Sequence, residues 1–231
     1  MSFAHSYSGP VTEKARFVIG LDLGQAHDPT AIAGVKHLRF VHAVKVAARG
    51  NDDDWREKDA RPSVFQCGYL ERVPLGTTYP GIVAHVARLM SLPVWDGNVS
   101  LAIDKTGVGA PVADLFKSAG ISFAAVTITG GDSETSHNND WRVPKITLVS
   151  RLQALLHEGR LLIQKDLPEA PNLVRELQDF RVTYTASGNL TFGAREGRHD
   201  DLVLALAIAV WRASKPLHNS RVGPFRLGVR L

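Results

Sequence analysis

Residues 202–211 read Leu-Val-Leu-Ala-Leu-Ala-Ile-Ala-Val-Trp, without one polar side chain. Ala and Leu favour a helix, and a helix apolar around its whole circumference must be buried. The run is too short to cross a membrane, which takes about 20 residues. His199, Asp200 and Asp201 stand directly before it. Burial of the helix therefore holds Asp201 rigidly, at a terminus whose exposed N–H groups and positive dipole end keep carboxylates ionised.

Two further aspartates stand in equally apolar settings. Asp22 lies in the run Phe17-Val18-Ile19-Gly20-Leu21-Asp22-Leu23-Gly24, and Asp104 in Leu101-Ala102-Ile103-Asp104-Lys105-Thr106-Gly107-Val108-Gly109. Each closes or interrupts a hydrophobic segment, where an unpaired charge is costly. Three such charges are tolerable if they converge on a cation. Oxygen donors suit Mg²⁺ or Mn²⁺, and the single Cys67 excludes a cysteine-based zinc site and any internal disulfide.

Short apolar runs predict strands over residues 17–23, 30–35, 39–46 and 64–72, with the second and third meeting at a turn near Lys36 and His37. Residues 49–62 are charged and read as a loop. Helices are expected over 79–90, 110–119, 143–158, 168–180 and 199–213, and strands over 99–104, 123–129 and 161–163. Residues 130–139, rich in Gly, Ser and Asn, read as a mobile loop. Residues 182–185 and 190–192 read as a hairpin. Antiparallel strands followed by alternating helix and strand predict an α/β fold: a mixed central sheet with helices on both faces.

The 231 residues, 44% hydrophobic and 22% charged, suit one domain with small extensions. The polar start, Met1 to Pro10, lacks the apolar core of a signal peptide, and the lone cysteine suits a reducing, cytosolic compartment. The net charge is only +4. No acidic residue follows Asp201, whereas Arg212, Lys215, Arg221, Arg226 and Arg230 do. Such an end is either solvated or a contact for phosphates, with salt-sensitive binding.

The order Gly20-Leu21-Asp22-Leu23-Gly24, Asp28-Pro29-Thr30, Asp104-Lys105-Thr106-Gly107-Val108-Gly109, then His199-Asp200-Asp201 opening an Ala/Leu helix, resembles the nuclease domain of phage terminase large subunits, in the ribonuclease H-like (retroviral integrase) superfamily. The resemblance covers residues 16–214. It implies a ribonuclease H-like nuclease domain there, an N-terminal extension over 1–15 and a basic C-terminal extension over 215–231. It further implies a DNA endonuclease of phage packaging that hydrolyses phosphodiesters with two Mg²⁺ or Mn²⁺ ions in the host cytoplasm. Asp22 would bridge both metals, Asp104 would hold one and Asp201 would complete the site, with Asp200 as a further ligand or water-positioning group. Implied partners are double-stranded DNA and a separate packaging ATPase, terminase small subunit or portal, with no membrane. No Gly-x-x-x-x-Gly-Lys-[Ser/Thr] phosphate loop occurs, so the chain reads as the nuclease part without its motor. A Holliday-junction resolvase-like nuclease and a non-catalytic DNA-binding packaging module are the competing readings. A sugar-kinase or actin-like ATPase needs about twice this length.

Each residue also has a structural reading. Asp22 could be satisfied by backbone N–H groups at a strand end, and Asp104 could be a turn former before Gly107. Asp200 and Asp201 are good N-caps, Asp200 the better suited. His199 either orients water or a phosphate, or flanks the cap. Lys105, Lys145, Arg151, Arg195 and Arg198 are candidate DNA contacts. Asp28 reads as a turn former, Glu176 as a surface or helix-pairing residue, and Trp141 as a packing residue or an exposed aromatic beside the loop.

Overall fold

A computed structural model of the chain describes residues 10–24, 28–46, 54–107, 109–179, 181–184, 190–193 and 199–216. Its central sheet opens with three long antiparallel strands, β1 (Thr12–Asp22), β2 (Thr30–Val46) and β3 (Asp54–Val73). There follow α1 (Tyr79–Met90), β4 (Val99–Asp104), α2 (Gly109–Ser118) and β5 (Phe123–Thr129). Next come β6 (Thr135–His137), β7 (Asp140–Pro144), α3 (Lys145–His157), β8 (Leu161–Ile163) and α4 (Ala170–Asp179). The hairpin of β9 (Arg181–Tyr184) and β10 (Leu190–Gly193) forms its own small sheet, and α5 (Asp201–Ser214) ends the described fold.

Strand order in the large sheet is β6-β7-β5-β4-β1-β2-β3-β8. Pairing is antiparallel across β1, β2 and β3, and parallel across β1/β4, β4/β5, β5/β7 and β3/β8. The expected mixed sheet with helices on both faces is therefore present. One face, built from Val18, Ala102 and Val126, packs on α3, α4 and α5. The other, built from Ile19, Leu21 and Ile103, packs on α1 and α2. Leu202 to Trp211 is buried along its whole length, most of it fully inaccessible.

Three sequence expectations are corrected. No turn occurs at Lys36 and His37: residues 30–46 form one strand, because Val35 to Leu38 include no Gly, Pro, Asn, Asp or Ser and His37 is buried in the ladder, stacked on Phe65 at 4.2 Å. The antiparallel reversal instead separates Asp22 from Ala31, which pair across β1 and β2. The charged residues 54–62 are strand rather than loop. Their charges are carried outward and meet partners across the sheet: Asp59 accepts from Arg39 on β2 at 2.7 Å, Glu57 pairs with Lys14 on β1, and Arg61 lies over the Phe40 ring. Residues 135–144, expected partly as mobile loop, form the β6/β7 hairpin, turning at Asn138 with φ 53°. Asparagine tolerates that left-handed conformation.

Candidate metal centre

β1 and β4 run parallel with Leu21 opposite Ile103, which makes Asp22 and Asp104 neighbours at the carboxyl ends of adjacent strands. Side-chain alternation puts Asp22 on the face of Val18 and Gly20, and Asp104 on the face of Ala102. That is the face covered by α5. Gly20 allows the helix to lie directly on the strand: a Cβ there would stand 2.1 Å from the Ala205 carbonyl oxygen and 2.7 Å from the Ala209 nitrogen. The carboxyl end of α5 lies against Arg16, whose Nη1 donates to the Lys215 carbonyl at 2.6 Å. Its amino end therefore points at the Asp22 end of β1, bringing Asp200 and Asp201 toward the strand-end aspartates.

The electrostatics show what that costs. Burial pushes the Asp22 carboxyl well above the usual range, and Asp104, Asp201 and Asp200 push it further, with Lys145 opposing. Burial also raises Asp104, against hydrogen bonds from Thr106, whose N–H donates to Oδ1 at 2.8 Å. Asp201 is raised by burial, with His199 and Arg72 opposing. Its Oδ2 is buried without a hydrogen-bond partner; Arg72 Nη2 and His199 Nδ1 each stop at 3.6 Å. Mutually repelling, partly desolvated carboxylates are what a divalent ion relieves. As the side chains stand, no three His, Cys, Asp or Glu groups among the described residues are close enough together to hold an ion. The backbone nevertheless gathers the four aspartates, and an all-carboxylate donor set with an orphaned buried oxygen fits a hard divalent cation.

Three neighbours complete the surroundings. Asp200 occupies the N-cap position of α5, its carbonyl accepting from Leu204 N–H at 2.9 Å, but its side chain caps nothing. The carboxylate instead accepts from Lys145 Nζ at 2.8 Å. The capping carboxylate is Glu176 on α4, whose Oε2 accepts from Val203 N–H at 3.0 Å. Glu176 is only 6% exposed, so of its two sequence readings helix pairing holds and surface does not. Burial foremost pushes its carboxyl up to about 7. Arg72, near the end of β3, pairs with Glu176 and lies 3.9 Å from Glu169 as well as 3.6 Å from Asp201. Glu176 sits three residues after the buried Leu173, a helical spacing that marks it as inward-facing. Arg72 carries no comparable signal.

The expected DNA contacts separate. Lys145 faces the carboxylates, while Lys105 pairs with Asp140 on β7. His199 is half-exposed at the mouth, near Asp201 and 4.0 Å from Asp28. Arg195 and Arg198 lie outside the described residues, as does the basic stretch after Pro216. Trp141 is half-buried, edge-on to Trp211 at 5.2 Å, rather than exposed. Gly107 adopts φ 72°, the sharp turn expected after Asp104. A cavity of about 1270 Å³ lies elsewhere, at the carboxyl end of α5; Arg16, His37, Arg151 and Arg160 line it and none of the four aspartates does.

Comparison with known proteins bears on the fold and the family. The large terminase subunits of Thermus phage G20c and Thermus virus P23-45 are each 30% identical over 124 residues, 54% of this chain. That stretch spans only 22% of their length. The crystal structure of the large terminase nuclease from phage G20c superposes with a TM-score of 0.56 at 21% identity, over 86% of this chain and 82% of that one. Its magnesium-bound form gives 0.56 at 23% over the same shares, and its cobalt-bound form 0.54 at 22% over 86% and 81%. These structures share the ribonuclease H-like fold. The family model of the terminase RNase H-like domain matches residues 80–212, which include Asp104, Lys145, Glu176, Asp200 and Asp201. The chain belongs to the terminase RNase H-like domain family.

Proposed function

We propose that this chain is a divalent-metal-dependent DNA endonuclease, the nuclease part of a phage packaging machine. The observation that supports this reading is that β1 and β4 end side by side at Asp22 and Asp104, with the amino end of α5, Asp200 and Asp201, directed toward them. That the similar G20c nuclease binds magnesium and cobalt supports the choice of cation.

Four carboxylates are enough for two ions. Asp22, Asp104 and Asp201, with Asp200 as a further ligand or water-positioning group, would hold them. Bound divalent cations polarise the scissile phosphate and lower the pKa of the attacking water. The chain's own residues do the positioning. Thr106 N–H orients the Asp104 carboxylate through Oδ1. Glu176 ties down the first turn of α5 through Val203, so Asp201 keeps its place when charge builds up beside it. His199, half-exposed at the mouth, is within reach of a DNA phosphate or of water beside Asp201.

The substrate is double-stranded DNA in the host cytoplasm, and a separate packaging ATPase, small subunit or portal would supply control. The test is cleavage of supercoiled plasmid with Mn²⁺, Mg²⁺ or EDTA, beside Asp104→Asn. Metal-dependent nicking and linearisation, lost in the variant, are expected. Cutting that persists in Asp104→Asn, or in EDTA, would remove the assignment.

A further inference from the structure

We infer that Lys145 is the built-in counter-ion of the carboxylate site, standing in for part of the charge of the divalent ion and giving way when that ion binds. The inference rests on the proposed metal reading of the four aspartates.

Lys145 is the first residue of α3, entered directly from β7 through Pro144, whose extended backbone (φ −60°, ψ 136°) forms the N-cap. Its Nζ donates to Asp200 Oδ2 at 2.8 Å, and both side chains are about three-quarters buried. The same ammonium also attracts the Asp22 and Asp104 carboxylates. One lysine thus acts on both strand-end aspartates and on the helix-start aspartate.

The helix itself gives no reason for a cation here. A positive side chain in a first turn opposes the helix dipole, and Pro144 provides no side-chain cap hydrogen bond that could offset it. What holds the ammonium in place is the excess of carboxylates. Arg72 serves the other flank, but it is already paired with Glu176 and stands 3.6 Å from Asp201. Among the described residues, Lys145 is the cation that faces the part of the cluster shared by Asp22, Asp104 and Asp200.

An ammonium among these oxygens competes with a divalent ion for the same charge. Its removal should have two opposite consequences. The metal-free cluster loses its neutralising cation and the fold is weakened. The incoming ion meets a more negative site and binds more tightly. A lysine serving only as an external DNA contact produces neither effect, and one that braces a ligand produces the reverse of the second.

The experiment uses the full chain with Lys145→Met and Lys145→Arg. Thermal unfolding is followed in EDTA, and Mn²⁺ binding is measured by titration calorimetry without DNA. Lys145→Met is expected to unfold several degrees lower in EDTA and to bind Mn²⁺ about tenfold more tightly, from the loss of one nearby positive charge. Lys145→Arg, which keeps the charge, should retain wild-type stability in EDTA. An unchanged melting temperature in EDTA, or weaker Mn²⁺ binding by Lys145→Met, overturns the inference. If the wild-type chain binds no Mn²⁺, the metal reading fails and the EDTA comparison decides the counter-ion role alone. If Lys145→Met folds only with Mn²⁺ present while Lys145→Arg folds in EDTA, the counter-ion role is supported directly; a Lys145→Met chain that Mn²⁺ does not rescue overturns it.

Discussion

The two ends of α5 carry opposite chemistry on one continuous apolar helix. At the carboxyl end stand Arg16, Arg212 and His37, with the carbonyls of Ala213 and Lys215 accepting from Arg16 at 3.4 and 2.6 Å. There the negative end of the helix dipole and the carbonyls favour the two arginines, while Arg16 Nε and Nη2 and Arg212 Nε stay buried without a hydrogen-bond partner. At the amino end stand Asp22, Asp104, Asp200, Asp201 and Glu176, faced closely by Lys145 and Arg72. The helix amino end favours anions, but it does not neutralise that many. The difference is one of sign: the carboxyl end holds orphaned buried donors, which no cation suits, and the amino end an orphaned carboxylate oxygen amid repelling carboxylates, which a cation does.

The strongest way to break this comparison is to neutralise the amino end. Asp22→Asn and Asp104→Asn should each reduce plasmid cleavage roughly a hundredfold or more, since even outer-shell changes at metal sites cost about 10–100-fold. Neither should lower the melting temperature in EDTA, because each removes a repelling, partly desolvated charge. A variant that cuts normally, or that unfolds early, contradicts the account.

Next comes the contact that joins the two ends. Gly20→Ala places a methyl group against the Ala205 carbonyl and Ala209. It should destabilise the chain by roughly 1–3 kcal/mol through overpacking, measured by chemical denaturation, and displace Asp201 from Asp22. At the carboxyl end, Arg16→Met should lower stability by roughly 1–3 kcal/mol through lost charge-assisted hydrogen bonds. Mn²⁺ affinity should stay as in the wild type. A change in metal binding there would merge the two regions into one.

The smallest effect is a difference in pH dependence. Burial, foremost, with Arg16, Arg39 and Arg160, lowers His37 from 6.5 to about 4, against a hydrogen bond to the Ala213 backbone. Between pH 6.5 and 4 the unfolded chain takes up a proton that the folded chain refuses, so His37 removes stability as pH falls through that window and has no such effect above it. Glu176, raised from 4.5 to about 7, has the opposite sign: the folded chain holds a proton that the unfolded chain releases, so stability rises as pH falls from 7 to 4.5. Melting curves of His37→Gln and Glu176→Gln across pH 4–8 should deviate from wild type in opposite directions. Deviations of the same sign would show that the two ends do not differ as described.

Much of this was legible in the sequence, for definite physical reasons. The all-apolar run of α5 demanded burial, and the strand-ending Asp22 and Asp104 and helix-opening Asp200-Asp201 followed from charges in apolar settings. Strand pairing of charged residues was not legible. Residues 54–62 look like a loop until Arg39, Lys14 and Phe40 supply partners across the sheet. Side-chain direction was equally hidden. Lys145 at a helix start reads as a surface cation, and only the meeting of α3 with α5 turns it toward Asp200. Asp200 looks like a capping side chain, yet a glutamate 27 residues away in sequence bonds Val203 instead.

The most direct measurement is anomalous diffraction at the manganese edge from crystals of the chain grown with Mn²⁺. The account predicts density among Asp22, Asp104, Asp200 and Asp201 at the amino end of α5, none at the Arg16 end, and its loss in Asp104→Asn. Manganese bound elsewhere, or absent from the four aspartates, would contradict the central claim.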